Sequence, residues 1–130
     1  MSTNAITIAG NLTTDPELRF TSSGKPVANF TVADTPRHQD PASGEWKDGE
    51  ALFQRVAVWG EVAENVKDSL AKGMRVIVSG RLVQKSFTKD GETRNYTEIR
   101  ADEVGPSLKY AKASVSKVAR KNGVSSAEDA

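Results

Sequence analysis

Asp90-Gly91 separates two long stretches of alternating residues, and this dipeptide constrains the fold more than any other feature of the chain. Asp-Gly between alternating runs is the strongest short-range signal for a two-residue β-hairpin, because both turn positions require positive φ. Such a turn fixes the register, setting Phe87 opposite Arg94 and Lys85 opposite Tyr96. Strand side chains alternate between faces, so Arg81, Val83, Lys85, Phe87 and Lys89 share one face while Leu82, Gln84, Ser86 and Thr88 take the other. A row of cations carrying a phenylalanine makes a poor core. That face is expected to point outward and to have work other than packing.

The rest of the chain supplies the body to which this hairpin belongs. Ala5 to Asn11 reads as a short strand, followed by the loop "LTTDPEL" and the turn "TSSGKP". In "VANFTVADTPR", Ala28, Phe30 and Val32 form one face against Val27, Asn29 and Thr31, and the strand stops at Pro36. Residues 37–52, dense in Pro, Gly, Asp and Ser, read as a long mobile loop. In "LFQRVAVWG", Val56 and Val58 point one way while Phe53, Arg55, Ala57 and Trp59 point the other. "EVAENVKDSLAKG" changes period: Val62, Val66 and Leu70 at four-residue steps predict one short amphipathic helix, closed by Gly73. Val76, Val78 and Leu82 then share a face with Gly80 among them, which marks a bend or a close backbone approach. The returning strand, Tyr96 to Val104, is expected to bury Thr97, Ile99 and Ala101 and to expose Glu98, Arg100 and Asp102.

Three strands, a helix and two long strands, with no β-α-β alternation, predict an all-β fold with one short helix. The natural closure is a five-stranded antiparallel Greek-key barrel with an extended hairpin between the fourth and fifth strands. A helix between the third and fourth strands is the arrangement of an OB-fold. At 130 residues the chain fits one domain, assigned to residues 1–108, followed by a basic segment over 109–130 whose end is expected to be disordered. Lys109, Lys112, Lys117, Arg120 and Lys121 lie in that segment with no acidic residue between Leu108 and Gly123.

Composition narrows the chemistry. The formal charge is +1, so an anionic partner has to be attracted by local clustering rather than by bulk charge. There is no cysteine, which removes disulfides and thiolate chemistry, and the single His38 cannot build a histidine metal cluster. No metal site or cofactor is expected. "MSTNAITIAG" has no basic leader and no long apolar run, so a cytoplasmic protein without a membrane span is expected. The Asn-x-Thr triplets at Asn11, Asn29 and Asn95 are then chance matches. Asp15 and Glu17 flank Pro16 without further carboxylates or histidines to form an acid–base set, so they read as turn and surface residues, and no catalytic residue is assigned. "SSGKP" lacks the upstream glycine of a phosphate loop and precedes a strand.

The outward faces carry the one constellation with a clear chemical use. Single-stranded nucleic acid is held by cations that follow its phosphates and by flat rings on which unpaired bases stack. Phe53, Arg55 and Trp59 from the third strand, with Arg81, Lys85, Phe87, Lys89, Arg94 and Tyr96 from the hairpin, supply both. The plain alternative seats Phe53 and Trp59 at the barrel ends or in a subunit interface and makes the hairpin cations ordinary surface charge. Phe87, near the hairpin tip, lies beyond the reach of the core. In the long loop, Trp46 either stacks on a base or pins the loop to the body, and Arg37-His38 stands at the loop's start. An adaptor surface for protein predicts exposed apolar residues without interleaved cations, and a hydrolase predicts a convergent acid–base set; neither pattern is found.

The segments "TIAGNLTTDPELRFTSSGKPVANFTVADTPR", "GEWKDGEALFQRVAVWGEVAENVKDSLAKGMRVIVSGRLVQKSF" and "IRADEVGPSLKYAKASV" closely resemble bacterial single-stranded DNA-binding protein, most of all its actinobacterial branch. The resemblance runs from about Thr3 to about Lys117. It implies an OB-fold, a homotetramer built as a dimer of dimers, and sequence-independent binding and protection of single-stranded DNA in replication, recombination and repair. It also implies that base-stacking aromatics sit at the positions of Phe53, Trp59 and Phe87. Some members have a tryptophan where this chain has Arg37-His38. The segment matching "SLKYAKASV" adds, in the actinobacterial branch, a strand that clasps a neighbouring subunit. Family members usually continue through a Gly- and Pro-rich linker to an acidic tip ending in Pro-Phe; here the sequence ends at "SSAEDA", and reduced docking of tail-binding proteins is the expectation.

Overall fold

The computed structural model describes residues 4–119. Its elements in chain order are β1 (Ala5–Leu12), β2 (Glu17–Phe20), β3 (Pro26–Asp34), β4 (Arg37–Gln39), β5 (Trp46–Asp48), β6 (Leu52–Trp59), α1 (Glu61–Ser69), β7 (Arg75–Lys89) and β8 (Glu92–Pro106). The main sheet runs β1-β7-β8-β6-β3-β2, and a further pairing of β1 with β3 closes five of its strands into a ring. The closed all-β body with one helix is the expected class. One pair differs from a wholly antiparallel barrel: β6 runs parallel to β8, with Arg55 beside Glu98 and Ala57 beside Arg100.

Alternation dictates the core. Ala28, Phe30 and Val32 of β3, Val56 and Val58 of β6, Val76 and Val78 of β7 and Ile99 of β8 pack together inside the ring. The helix seals one end with Ala63 and Val66, followed by Leu70 just beyond it. This corrects the expected helix face: Val62 is exposed and Ala63 takes the buried place, so the stripe steps by three and then four. Asp15 pins the adjoining loop by accepting a hydrogen bond from Lys72 N at 2.8 Å.

The hairpin has the expected register, Phe87 opposite Arg94 and Lys85 opposite Tyr96, with Asp90 and Gly91 at φ 52° and 78°. The register shifts at Ser79/Gly80, leaving Asp102 as the extra residue of β8. A side chain at Gly80 would collide with the carbonyl of Arg100 and stand 2.8 Å from Ala101 Cα, so the close approach expected there is real.

Three further expectations are corrected. "PELRF" contains a strand, β2, paired to β3 from Glu17 opposite Asn29 to Phe20 opposite Pro26. The long loop holds a small hairpin, β4 with β5, tied by Arg37 Nε to Asp48 Oδ1 at 3.4 Å and Lys47 Nζ to Asp40 Oδ2 at 3.2 Å. Thr97 is exposed and Glu98 is buried, the reverse of expectation, although both face as alternation requires. Thr97 looks inward past the end of the core, whereas Glu98 looks outward into a groove that covers it. Residues 107–119 form no strand with the described residues, although Ser107 N donates to Arg75 O at 2.8 Å. Residues 120–130, with Glu128, Asp129 and the expected loose end, lie outside the described residues. Among the described residues no helix is long and apolar enough to cross a membrane.

Candidate nucleic-acid interface

Outward-facing residues of neighbouring strands meet in a groove of about 570 Å³. Its floor comes from β3 (Asn29, Thr31) and β6 (Arg55, Ala57, Trp59), and its walls from β2 (Arg19, Phe20) and the hairpin (Lys85, Tyr96, Glu98). The odd residues of β6 and β7 face outward because Val56, Val58, Val76 and Val78 fill the core. The outward side of the hairpin therefore continues directly from the outward side of β6.

Rings and cations interleave in this groove. The Arg55 guanidinium lies 4.4 Å from the centroid of the Tyr96 ring, within reach of a cation–π attraction. Phe87 packs at 5.9 Å from Tyr96 with planes tilted by 57°, so that edge and face meet. Both rings stand beyond the core, and Phe87 keeps 42% of its surface exposed. Phe53, at the start of β6, is 64% exposed on the same outward face as Arg55. Lys85 Nζ lies 3.3 Å from Glu98 Oε1, an ion pair in which Glu98 is buried. Asn29 Nδ2 is buried at the floor without a hydrogen-bond partner among the described residues.

The remaining expected residues fall in three places. Lys89 and Arg94 join Phe87 around a smaller hollow at the hairpin tip, where Arg94 also approaches Glu92 at 3.6 Å. Arg81 sits at the hairpin base beside Trp59 and Arg100. Arg37 and Trp46 are on the separate β4–β5 hairpin and line neither groove; Trp46 is 61% exposed. Arg19, Phe20, Asn29 and Glu98 were missed. Phe20 and Arg19 went unseen because β2 is four residues long, too short for alternation to register. Among the described residues no group of three or more His, Asp or Glu side chains is placed to hold a metal ion.

Comparison with known proteins agrees with this geometry. Residues 3–107 match the model of the family described as single-strand binding protein family. The chain belongs to that family. It is 64% identical over 119 residues to a single-stranded DNA-binding protein of Mycobacterium leprae, covering 91% of this chain and 71% of the relative. A protein of the same name from Mycobacterium tuberculosis is 63% identical over 122 residues, covering 93% and 74% respectively. Among solved structures, the small single-stranded DNA-binding protein from Streptomyces coelicolor superposes with a TM-score of 0.72 at 33% identity, over 83% of this chain and 97% of that one. The matched span ends one residue beyond β8, at Ser107.

Proposed function

We propose that this chain binds single-stranded DNA without regard to base sequence and so protects it during replication, recombination and repair. The observation that carries this reading is the outward cluster of Arg55, Tyr96, Lys85 and Phe87, in which the Arg55 guanidinium lies 4.4 Å from the Tyr96 ring centroid and Phe87 packs on that ring, with Phe53 exposed on the same face of β6. Bases stack on Phe53, Phe87 and Tyr96, each worth roughly 1–3 kcal/mol. Arg55, Lys85, Arg94, Lys89 and Arg81 meet phosphates. Every base has a π-face and every nucleotide a phosphate, so the surface favours no sequence. Duplex DNA hides its bases in the stack and gains only the phosphate contacts. Arg37 and Trp46, on their own exposed hairpin, serve as an outlying contact for longer strands.

The role is one of binding without catalysis, in the cytoplasm on the nucleoid, and the working form is a homotetramer. Among the described residues, 5–10 of β1 pair only with β7, an edge suited to pairing with another copy. Leu108, Tyr110 and Val115 are exposed on a segment that has no strand partner among the described residues, as expected of an arm that clasps a neighbour.

Anisotropy titration of labelled dT, dC and mixed-sequence oligonucleotides against a duplex of equal length tests the reading. Similar affinities for the single strands and much weaker binding of the duplex are expected. Equal affinity for the duplex would show a general polyanion surface instead.

A further inference from the structure

Trp59 walls two hollows at once, the central groove and a second concavity of about 500 Å³ at the helix end of β6. Three cations converge on this second hollow. Lys25 Nζ lies 5.8 Å and the Arg100 guanidinium 5.4 Å from the Trp59 ring centroid. Arg81 is directly opposite Arg100 across the hairpin ladder. None of the three forms an ion pair among the described residues; Asp102, which shares the hollow, lies outside ion-pair distance of them all. Arg100 Nε is buried without a hydrogen-bond partner. Two cations on one ring and a third beside them in the same hollow, none of them paired to a carboxylate, leave a place for an anion.

We infer that Lys25, Arg81 and Arg100, held in position by the Trp59 ring, form a cradle for a backbone phosphate of the bound strand. The inference rests on the proposed function and adds to it Lys25, on the turn before β3, and Arg100. Trp59 lies four positions along β6 from Arg55, and Arg81 four along β7 from Lys85, so the cradle lies about 13 Å from the central cluster. Trp59, a base-stacking position by the family resemblance, also positions these cations with its ring.

Salt dependence distinguishes a phosphate contact from a stacking contact. Each neutralised phosphate adds about −0.7 to the slope of log affinity against log salt for single strands. Oligo-dT binding by the wild-type protein, K25Q, R100Q and K25Q/R100Q is measured across a salt series, with folding checked by circular dichroism. The double variant should lose about 0.7 of slope, so that its disadvantage shrinks about fivefold for each tenfold rise in salt. Lys25 is exposed on a turn, so K25Q should fold regardless and should flatten the slope in the same direction. Wild-type slopes in folded K25Q and R100Q would overturn the cradle. A wild-type chain that fails to bind oligo-dT at all would instead overturn the proposed function, and the cradle with it.

Discussion

Replacing Phe87 by alanine separates binding from folding more cleanly than any other change. The side chain stands on the projecting hairpin, opposite Arg94, and its ring contact is Tyr96 at 5.9 Å. Its loss removes one tilted aromatic pair, worth about 0.5–1.5 kcal/mol at most in so open a place. For a domain of this size that lowers Tm by ~2–8 °C. The loss of one base-stacking platform costs roughly 1–3 kcal/mol of binding. At 1.4 kcal/mol per decade, affinity for oligo-dT should fall ~5- to 150-fold. The salt slope should not change, because no phosphate contact is removed. Phe87→Tyr should retain most of the affinity, whereas Phe87→Leu, which keeps apolar area without a π-face, should behave like alanine. Anisotropy titrations at three salt concentrations, with thermal unfolding alongside, decide the matter. Wild-type affinity in a folded Phe87→Ala protein would refute the stacking role, and recovery by leucine would show that apolar area alone is recognised.

Glu98→Gln removes the carboxylate that holds Lys85 at 3.3 Å within the groove; oligo-dT affinity should rise and the salt slope steepen by about 0.7 as Lys85 is released to phosphate. A weaker, flatter response would show that Glu98 positions Lys85 rather than competing for it. Gly80→Ala puts a methyl group against the Arg100 carbonyl at the bulge and should destabilise the fold by about 1–3 kcal/mol, read as a lower denaturation midpoint. The Ala42 amide, with Lys47 and Ser43, holds the Asp40 carboxyl below its ordinary value. A depressed carboxylate stabilises above its unfolded pKa and loses that contribution as pH falls through the folded value, so the β4–β5 hairpin should loosen only on acidification below the ordinary Asp range. Faster amide exchange at Ala42 at low pH, abolished in Asp40→Asn, would report it.

Local rules made most of this fold legible. Asp90-Gly91 set the hairpin register, and valines on alternate positions identified the inner faces of β6 and β7. Gly80 announced the bulge because only a residue without Cβ fits beneath a neighbouring carbonyl. What escaped notice depended on tertiary context. β2 offers a single half-buried residue, Leu18, and its partner β3 cannot be read from its own sequence. The β4–β5 hairpin has no apolar face at all and is organised by Asp40 and two ion pairs. Thr97 and Glu98 face as alternation says, but burial depends on where the core stops and where side chains crowd. Of the site, the rings and cations of β6 and the hairpin were legible, because an outward aromatic among cations is anomalous in one dimension. Lys25, Asn29 and Arg100 were not, because only folding brings them beside Trp59 and Arg55.

The central claim is that the strand runs over the cation–aromatic face of β6 and the hairpin. Ultraviolet crosslinking of the wild-type protein to oligo-dT, followed by mass-spectrometric mapping of the adducts, tests it most directly. Adducts at Phe53, Phe87 and Tyr96 are predicted, with none on the outward face of β1 and the start of β7 around Thr7 and Ile77. Adducts confined to Thr7, Ile77 and their neighbours, with Phe53 and Phe87 unmodified, would contradict it.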